Sequence, residues 1–347
     1  MAEFDSARRE GAYRRVEAMD LGDLEAIRLV LRGSSVIDWR RLHFRDAGEV
    51  DRFLHLHLFD LEDPRDEARL RTMLAQAVAY LRSAYGYRVA AAVAEPEDLR
   101  TLFLLASGVA EPSRYRRIAC VVLKVMHVVH HVEARELLFR TPMPEADLAD
   151  RVERRVMAVA RRMAEAGLPV VEFQGNRKSR DSLVTKLLVK KESVAAQVFD
   201  RVRYRILTRT AADVVLVLRY LSGQLFPFKY VVPGQSENSL LPVRKREAGK
   251  AKRDNPFSEA TYRALHFVVD LPVRIDDVLP PGPPVDGEDL GRIVFSMVEF
   301  QVMDEESALR NEQGRANHHR YKKRQAVSAL RRLSRGLVVP RKRKAKG

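Results

Sequence analysis

The chain changes its hydrophobic rhythm near residue 167. Before that point apolar residues recur at helical spacing. Residues 23–32 carry Leu24, Ile27, Leu29 and Leu31, and residues 64–85 carry Leu70, Met73, Leu74, Ala77, Val78 and Leu81, close to an i, i+3, i+4, i+7 stripe. Similar patterns predict helices over 97–106, 113–138 and 144–166, with Pro96, Pro112, Pro142 and Pro144 where helices start or stop. After Gly167 strand-like runs appear. LPVVEF (168–173) predicts a strand that Gly175 ends, and residues 198–208 alternate apolar and polar as a half-buried strand does. Further strands are expected over 228–232, 262–271 and 293–303, and helices over 179–191, 211–222 and 305–335. The polar segment 234–256 is expected to be a mobile loop. The rhythm predicts an α+β chain, a helical N-terminal region followed by a β-sheet flanked by helices. The expected units are 1–167, 168–335 and a basic tail, 336–347.

Composition narrows the picture. At 46% hydrophobic residues, the chain can fill a sizeable core and is not expected to be globally disordered. Its single cysteine, Cys120, excludes a disulfide framework and a cysteine-cluster metal site, and fits a reducing cytosol. No apolar run approaches the roughly 20 residues of a membrane span. The opening MAEFDSARREGAYRR is charged and lacks the apolar core of a secretory signal. The expectation is a cytoplasmic protein with no membrane partner. The net charge is +15, but residues 310–347 hold 14 Lys/Arg against one acid, Glu312. The body is therefore nearly neutral and the C-terminal end is basic.

Three features of the second half share one chemistry. Asp200 sits in a strand pattern, followed by Arg203 and Arg205. Glu299 and Gln301 share one face of another predicted strand. Arg177, Lys178, Lys186, Lys190, Lys191 and Lys229 crowd nearby in sequence. Two carboxylates on neighbouring strands can hold Mg²⁺, and a basic rim can hold phosphates; together these are parts of a phosphoryl or nucleotidyl transfer site. Taken singly, a strand carboxylate also fits a solvated face or a structural ion pair. Neither a Walker-type loop nor a GxGxxG is present.

The order of several blocks points further. GNRKSRDSLVTK (175–186) is similar to GRxKxxxSxxxK, FDRVRYRIL (199–207) to YDLxAxRV, and FKYVVP (228–233) to FKDYIAxP. TYRALHFVV (261–269) is similar to GYQSLHTTV, VEFQV (298–302) to VEIQI, and NEQGRANHHRYK (311–322) to AExGxAAHWxYK. Over residues 175–322 the chain thus resembles the RelA/SpoT-type (p)ppGpp synthetase domain. The resemblance implies a nucleotidyltransferase-like mixed β-sheet flanked by helices. It implies an ATP-dependent pyrophosphokinase that moves the ATP β,γ-pyrophosphoryl group to the ribose 3′-hydroxyl of GDP or GTP. Asp200 and Glu299 would be the catalytic pair and hold Mg²⁺, with Glu299 alternatively the base for the acceptor hydroxyl. Lys178, Ser182, Lys186 and Arg205 would bind ATP. Lys229, Tyr262, His266 and Gln301 would bind the acceptor, Tyr262 by stacking on guanine. The chain departs from the pattern at Asn176, Thr261, Met303 and His319, with Arg177 one step from Asn176 as a substitute for the missing arginine.

Other features are weaker. No hydrolase HD pair occurs at His57 to Asp60, so alarmone hydrolysis is not expected. His127, His130 and His131 share a helix face, which predicts a polar interhelical contact more than a metal site. The basic loop 244–253 and the tail suggest RNA or tRNA as a partner beside ATP and GDP/GTP. Two alternatives therefore stand beside the main reading: the same chemistry on an adenine nucleotide or a tRNA 3′ end, or a non-catalytic nucleotide- or RNA-binding regulator. A homo-oligomer is left open.

Overall fold

The structure is a computed structural model and describes residues 27, 44–189, 202–227, 230–232, 234–241, 262–279, 289–313, 327 and 329–330. The expected helix over 23–32 falls outside these residues apart from Ile27, which is helical and buried. The helical region opens with α1 (Ala47–Leu56), which the hydrophobic pattern did not predict. Its start is fixed by the Asp46 carboxylate, which accepts from the Glu49 N–H. α2 (Pro64–Tyr85) has the predicted bounds. Asp63 caps it, Pro64 opens it, and Gly86 closes it in the left-handed conformation. The predicted stripe of α2 from Leu70 to Leu81 is its buried face. α3 (Ala91–Ala94), α4 (Arg100–Ser107), α5 (Arg116–Arg140) and α6 (Glu145–Glu165) follow.

The second half forms a five-stranded mixed sheet: β1 (Val170–Arg177), β2 (Val202–Thr208), β3 (Glu237–Asn238), β4 (Leu265–Arg274) and β5 (Ile293–Asp304), in the order β1-β2-β5-β4-β3. β2 and β5 run parallel, and the other neighbours run antiparallel. Helix α7 (Arg180–Val189) follows β1, α8 (Asp213–Gln224) follows β2, and α9 (Glu305–Gln313) follows β5. The architecture is the expected α+β arrangement. No described helix is long and apolar enough to cross a membrane.

Several local expectations change, and β3 lies inside the segment 234–256 that was expected to be a loop. Gly175 does not end β1. It lies opposite Tyr204, and a Cβ there would come within 3.0 Å of the Tyr204 ring, so the glycine admits a buried aromatic beneath the strand. Of the strand expected at 228–232, Phe228 and Lys229 lie outside the described residues. Val231 makes only an isolated bridge to Val269. The long helix expected over 305–335 is described to Gln313, with 327, 329 and 330 also helical.

The sheet has two unlike faces. Val298, Phe300 and Val302 of β5 join Tyr204, Ile206, Phe267 and Val269 in the core, covered by Val152, Val156 and Val159 of α6 and Val214, Val217 and Leu221 of α8. The rings of Tyr204, Phe300 and Phe267 stack at 5.7 and 5.4 Å. On the other face, α5 covers only the first half of β5. The three histidines predicted to bridge helices pack on this face instead. His131 stacks on Phe295 at 4.2 Å and meets Asp270 at 3.3 Å, and His127 stacks on Tyr230. His130 is buried against Phe59 and Phe295, and burial pushes its pKa down to about 3, so it is neutral.

Arginines tie the helical region to the sheet. Arg274 of β4 grips both oxygens of buried Asp66 in α2 at 2.7 and 2.9 Å and donates to the Leu58 carbonyl. Arg155 of α6 donates to the carbonyls of Leu56, Leu225 and Pro272. Removing one partner of a buried pair leaves the other charge uncompensated. Arg274→Met is therefore expected to lower stability by about 3 kcal/mol. Urea denaturation would read this as a lower midpoint at unchanged slope. A loss below about 0.5 kcal/mol would show that the pair does not hold the two halves together.

Candidate functional site

The second half of this sheet face, left open by α5 among the described residues, gathers polar residues from four strands. The parallel register sets Arg203 opposite Glu299 and Arg205 opposite Gln301. β4 sets His266 opposite Gln301, and β1 sets Asn176 opposite Arg203. Side chains alternate along a strand, so these residues share one face while their neighbours fill the core.

Glu299 is the centre of the group and is 8% exposed. Arg203 donates from Nε and Nη2 to Glu299 Oε2 at 3.1 and 2.9 Å. His266 Nδ1 lies 3.1 Å from Oε1. With Glu299 paired to Arg203, the Nδ1–H of His266 donates to the carboxylate; in the neutral ring Nε2 then carries the lone pair. Gln301 Nε2 donates to the Tyr262 hydroxyl, and the Tyr262 ring lies 5.7 Å from that of His266, tilted by 38°. Burial pushes the Tyr262 hydroxyl up to about 12, against the opposing pull of Arg203 and Arg205. Arg205 Nη2 reaches Glu312 of α9 at 3.2 Å, while its Nε is a buried donor without a partner among the described residues.

The loop end that carries Tyr262 is fixed by a side chain. Asn311 of α9 is buried, accepts from the Arg263 N–H at 3.0 Å and donates to the Arg263 carbonyl at 2.8 Å. Both bonds hold the backbone next to Tyr262 against the first turns of α9.

Glu299, Gln301, Tyr262, His266 and Arg205 are thus brought together from three strands and a loop. Lys178 follows β1, and Ser182 lies in the first turn of α7, where its hydroxyl meets that of Ser179 at 3.0 Å. Lys186 belongs to α7, with its side chain outside the description. Asp200 and Lys229 lie outside the described residues, as do the basic loop 244–253 and the tail. Arg177 does not substitute at position 176. It sits on the opposite face of β1 from Asn176 and pairs with Asp150 and Glu153 of α6, with Asp150 at 2.6 Å. Arg203 was not assigned a role from sequence. The similar strand motif, YDLxAxRV, has alanine at that place.

A search of solved structures finds proteins similar to this chain. The chain is similar to small alarmone synthetases. One is small alarmone synthetase 1 from Bacillus subtilis bound to its product pppGpp, at 14% identity, covering 55% of this chain and 88% of that chain, with a TM-score of 0.33. Another is small alarmone synthetase 2 from Bacillus subtilis, at 16% identity over 52% and 78%, TM-score 0.32. A third is a GTP pyrophosphokinase family protein from Streptococcus pneumoniae, at 14% identity over 55% and 85%, TM-score 0.31. No protein-family model matches the chain, and no curated protein matches it in sequence.

The Mg²⁺ implied by the motif resemblance does not fit Glu299 in this arrangement. One oxygen takes two guanidinium N–H groups and the other faces His266. A divalent cation on the same carboxylate would meet like charge at contact distance. Among the described residues no group of three or more His, Cys, Asp or Glu could hold a metal ion.

Tyr262 offers a direct test of the site's burial. Its folded pKa lies above the ordinary 10, so folding favours the protonated phenol. That contribution to stability is fully present below pH 10 and is lost as pH rises through about 12. Ultraviolet phenolate titration of the wild type minus Tyr262→Phe is expected to show one group ionising near pH 12. A difference centred near 10 would contradict the buried placement.

Proposed function

We propose that the open sheet face binds two nucleotides and moves the β,γ-pyrophosphoryl group of ATP to the ribose 3′-hydroxyl of GDP or GTP, releasing AMP. The observation that carries the reading is the convergence of Arg203, Arg205, His266, Glu299, Gln301 and Tyr262 on one face. The six motif blocks in one order support the same chemistry. So does the orphan Nε of Arg205, because a buried donor calls for an acceptor and phosphate oxygens are strong ones.

Such a transfer needs little covalent chemistry from the protein; catalysis is positioning and charge stabilisation. Arg205 offers donors to the phosphate oxygens, and Arg203 adds positive charge. Tyr262 offers an aromatic surface on which a base can stack. Glu299 holds the Nδ1–H of His266, which orients the ring and leaves Nε2 basic. Nε2 takes the proton of the 3′-hydroxyl as that oxygen bonds to the β-phosphorus. The bond from the β-phosphorus to the α,β-bridging oxygen breaks, and AMP departs with the electron pair. The imidazolium is stabilised by the neighbouring carboxylate, as in other carboxylate–histidine pairs.

The test is transfer of label from ATP carrying ³²P in its γ-phosphate to GDP, GTP, ADP or tRNA, with Mg²⁺ present. Label is expected in the GDP or GTP product, and His266→Ala is expected to slow the reaction by roughly 10²–10⁴-fold. Glu299→Gln should fall in the same direction. Label in ADP or tRNA would change the acceptor. Binding of ATP or GTP without transfer to any acceptor would refute the enzymatic reading in favour of a regulator.

A further inference from the structure

We infer that Arg203 is a built-in cation at Glu299, standing where a divalent metal would otherwise bind that carboxylate, and that it thereby sets the metal requirement of the site. The Glu299 side chain is 10% exposed, and a buried carboxylate needs a counter-charge. Arg203 supplies it with two donors on one oxygen, at 2.9 and 3.1 Å. The pairing does not depend on a ligand, because the parallel register of β2 and β5 fixes position 203 opposite position 299. Nor can the charge be lost by deprotonation, since a guanidinium stays protonated in proteins. The similar motif has a small residue at this place, which would leave the flank of the carboxylate open to a hydrated cation.

Three consequences follow for the chemistry of the face. Glu299 is a positioning residue for His266 and not a metal ligand. Positive charge beside the reacting phosphates comes from the chain itself. Any metal brought by a nucleotide must be held elsewhere. The inference rests on reading this face as a nucleotide site, but the cation at Glu299 can be tested without nucleotide.

The experiment is Mn²⁺ binding to the full-length protein, followed by electron paramagnetic resonance, for the wild type, Glu299→Gln, Arg203→Met, Arg203→Lys and the double variant Arg203→Met/Glu299→Gln. Mn²⁺ binding by the wild type should be unchanged by Glu299→Gln. Arg203→Met should tighten binding by about tenfold or more, because Glu299 Oε2 then loses its guanidinium counter-charge. The double variant should lose that gain, and Arg203→Lys should behave as the wild type. A wild-type affinity that drops tenfold in Glu299→Gln would overturn the inference. So would a folded Arg203→Met protein, judged by circular dichroism, that binds Mn²⁺ no better. Should Arg203→Met fail to fold, the Glu299→Gln comparison decides alone. Failure of pyrophosphoryl transfer with this Mn²⁺ pattern intact refutes the proposed reaction and leaves the built-in cation standing. The reverse result refutes the cation and leaves the reaction.

Discussion

The two-residue period of β5 is the constraint on which the rest of the molecule depends. One strand supplies Val298, Phe300 and Val302 to the core and Glu299 and Gln301 to the open face. A slip of one residue would drive Glu299 into the stack of Tyr204, Phe300 and Phe267 and expose Phe300. The aromatic stack therefore fixes the register, and the register fixes which charges meet. Arg203 reaches Glu299 because β2 lies parallel to β5 with its own apolar residues on the same side.

The helical region decides how much of that face stays open. α5 lays His131 on Phe295, in the first half of β5. The neutral His130 lets this cover be apolar in effect although its sequence is rich in imidazole. Arg155 and Arg274 anchor the same region through backbone carbonyls and Asp66. The helices therefore serve as a partial lid on a polar surface, and the open remainder is bounded on one side by packed rings and on the other by α9.

Much of this was legible in the chain, for identifiable reasons. The α2 stripe, with its proline start and glycine stop, is local information, and the helix has the bounds expected from the sequence. The shared face of Glu299 and Gln301 is likewise as expected. Parity along β1 also carried a warning that was there to be used: Arg177 is one residue from Asn176 and so points to the other side of the strand. What local pattern could not reveal was the partner of Glu299. Arg203 is 96 residues away, and their meeting depends on which strands neighbour each other and in which direction they run. α1 was missed because its apolar stripe is short, although the Asp46 and Glu49 spacing marked its start. The placement of Asp200 and Lys229 lies outside the described residues.

Asn311 also acts at the end of the sheet. β4 begins at Leu265 opposite Val302, so Arg263, two residues earlier, lies outside its ladder with β5. The amide of Asn311 supplies one acceptor and one donor to that residue, as a neighbouring strand would. A single side chain thus imitates a peptide group just beyond the end of the ladder. The backbone order that β4 hands on to Tyr262 is therefore written in one residue of a helix.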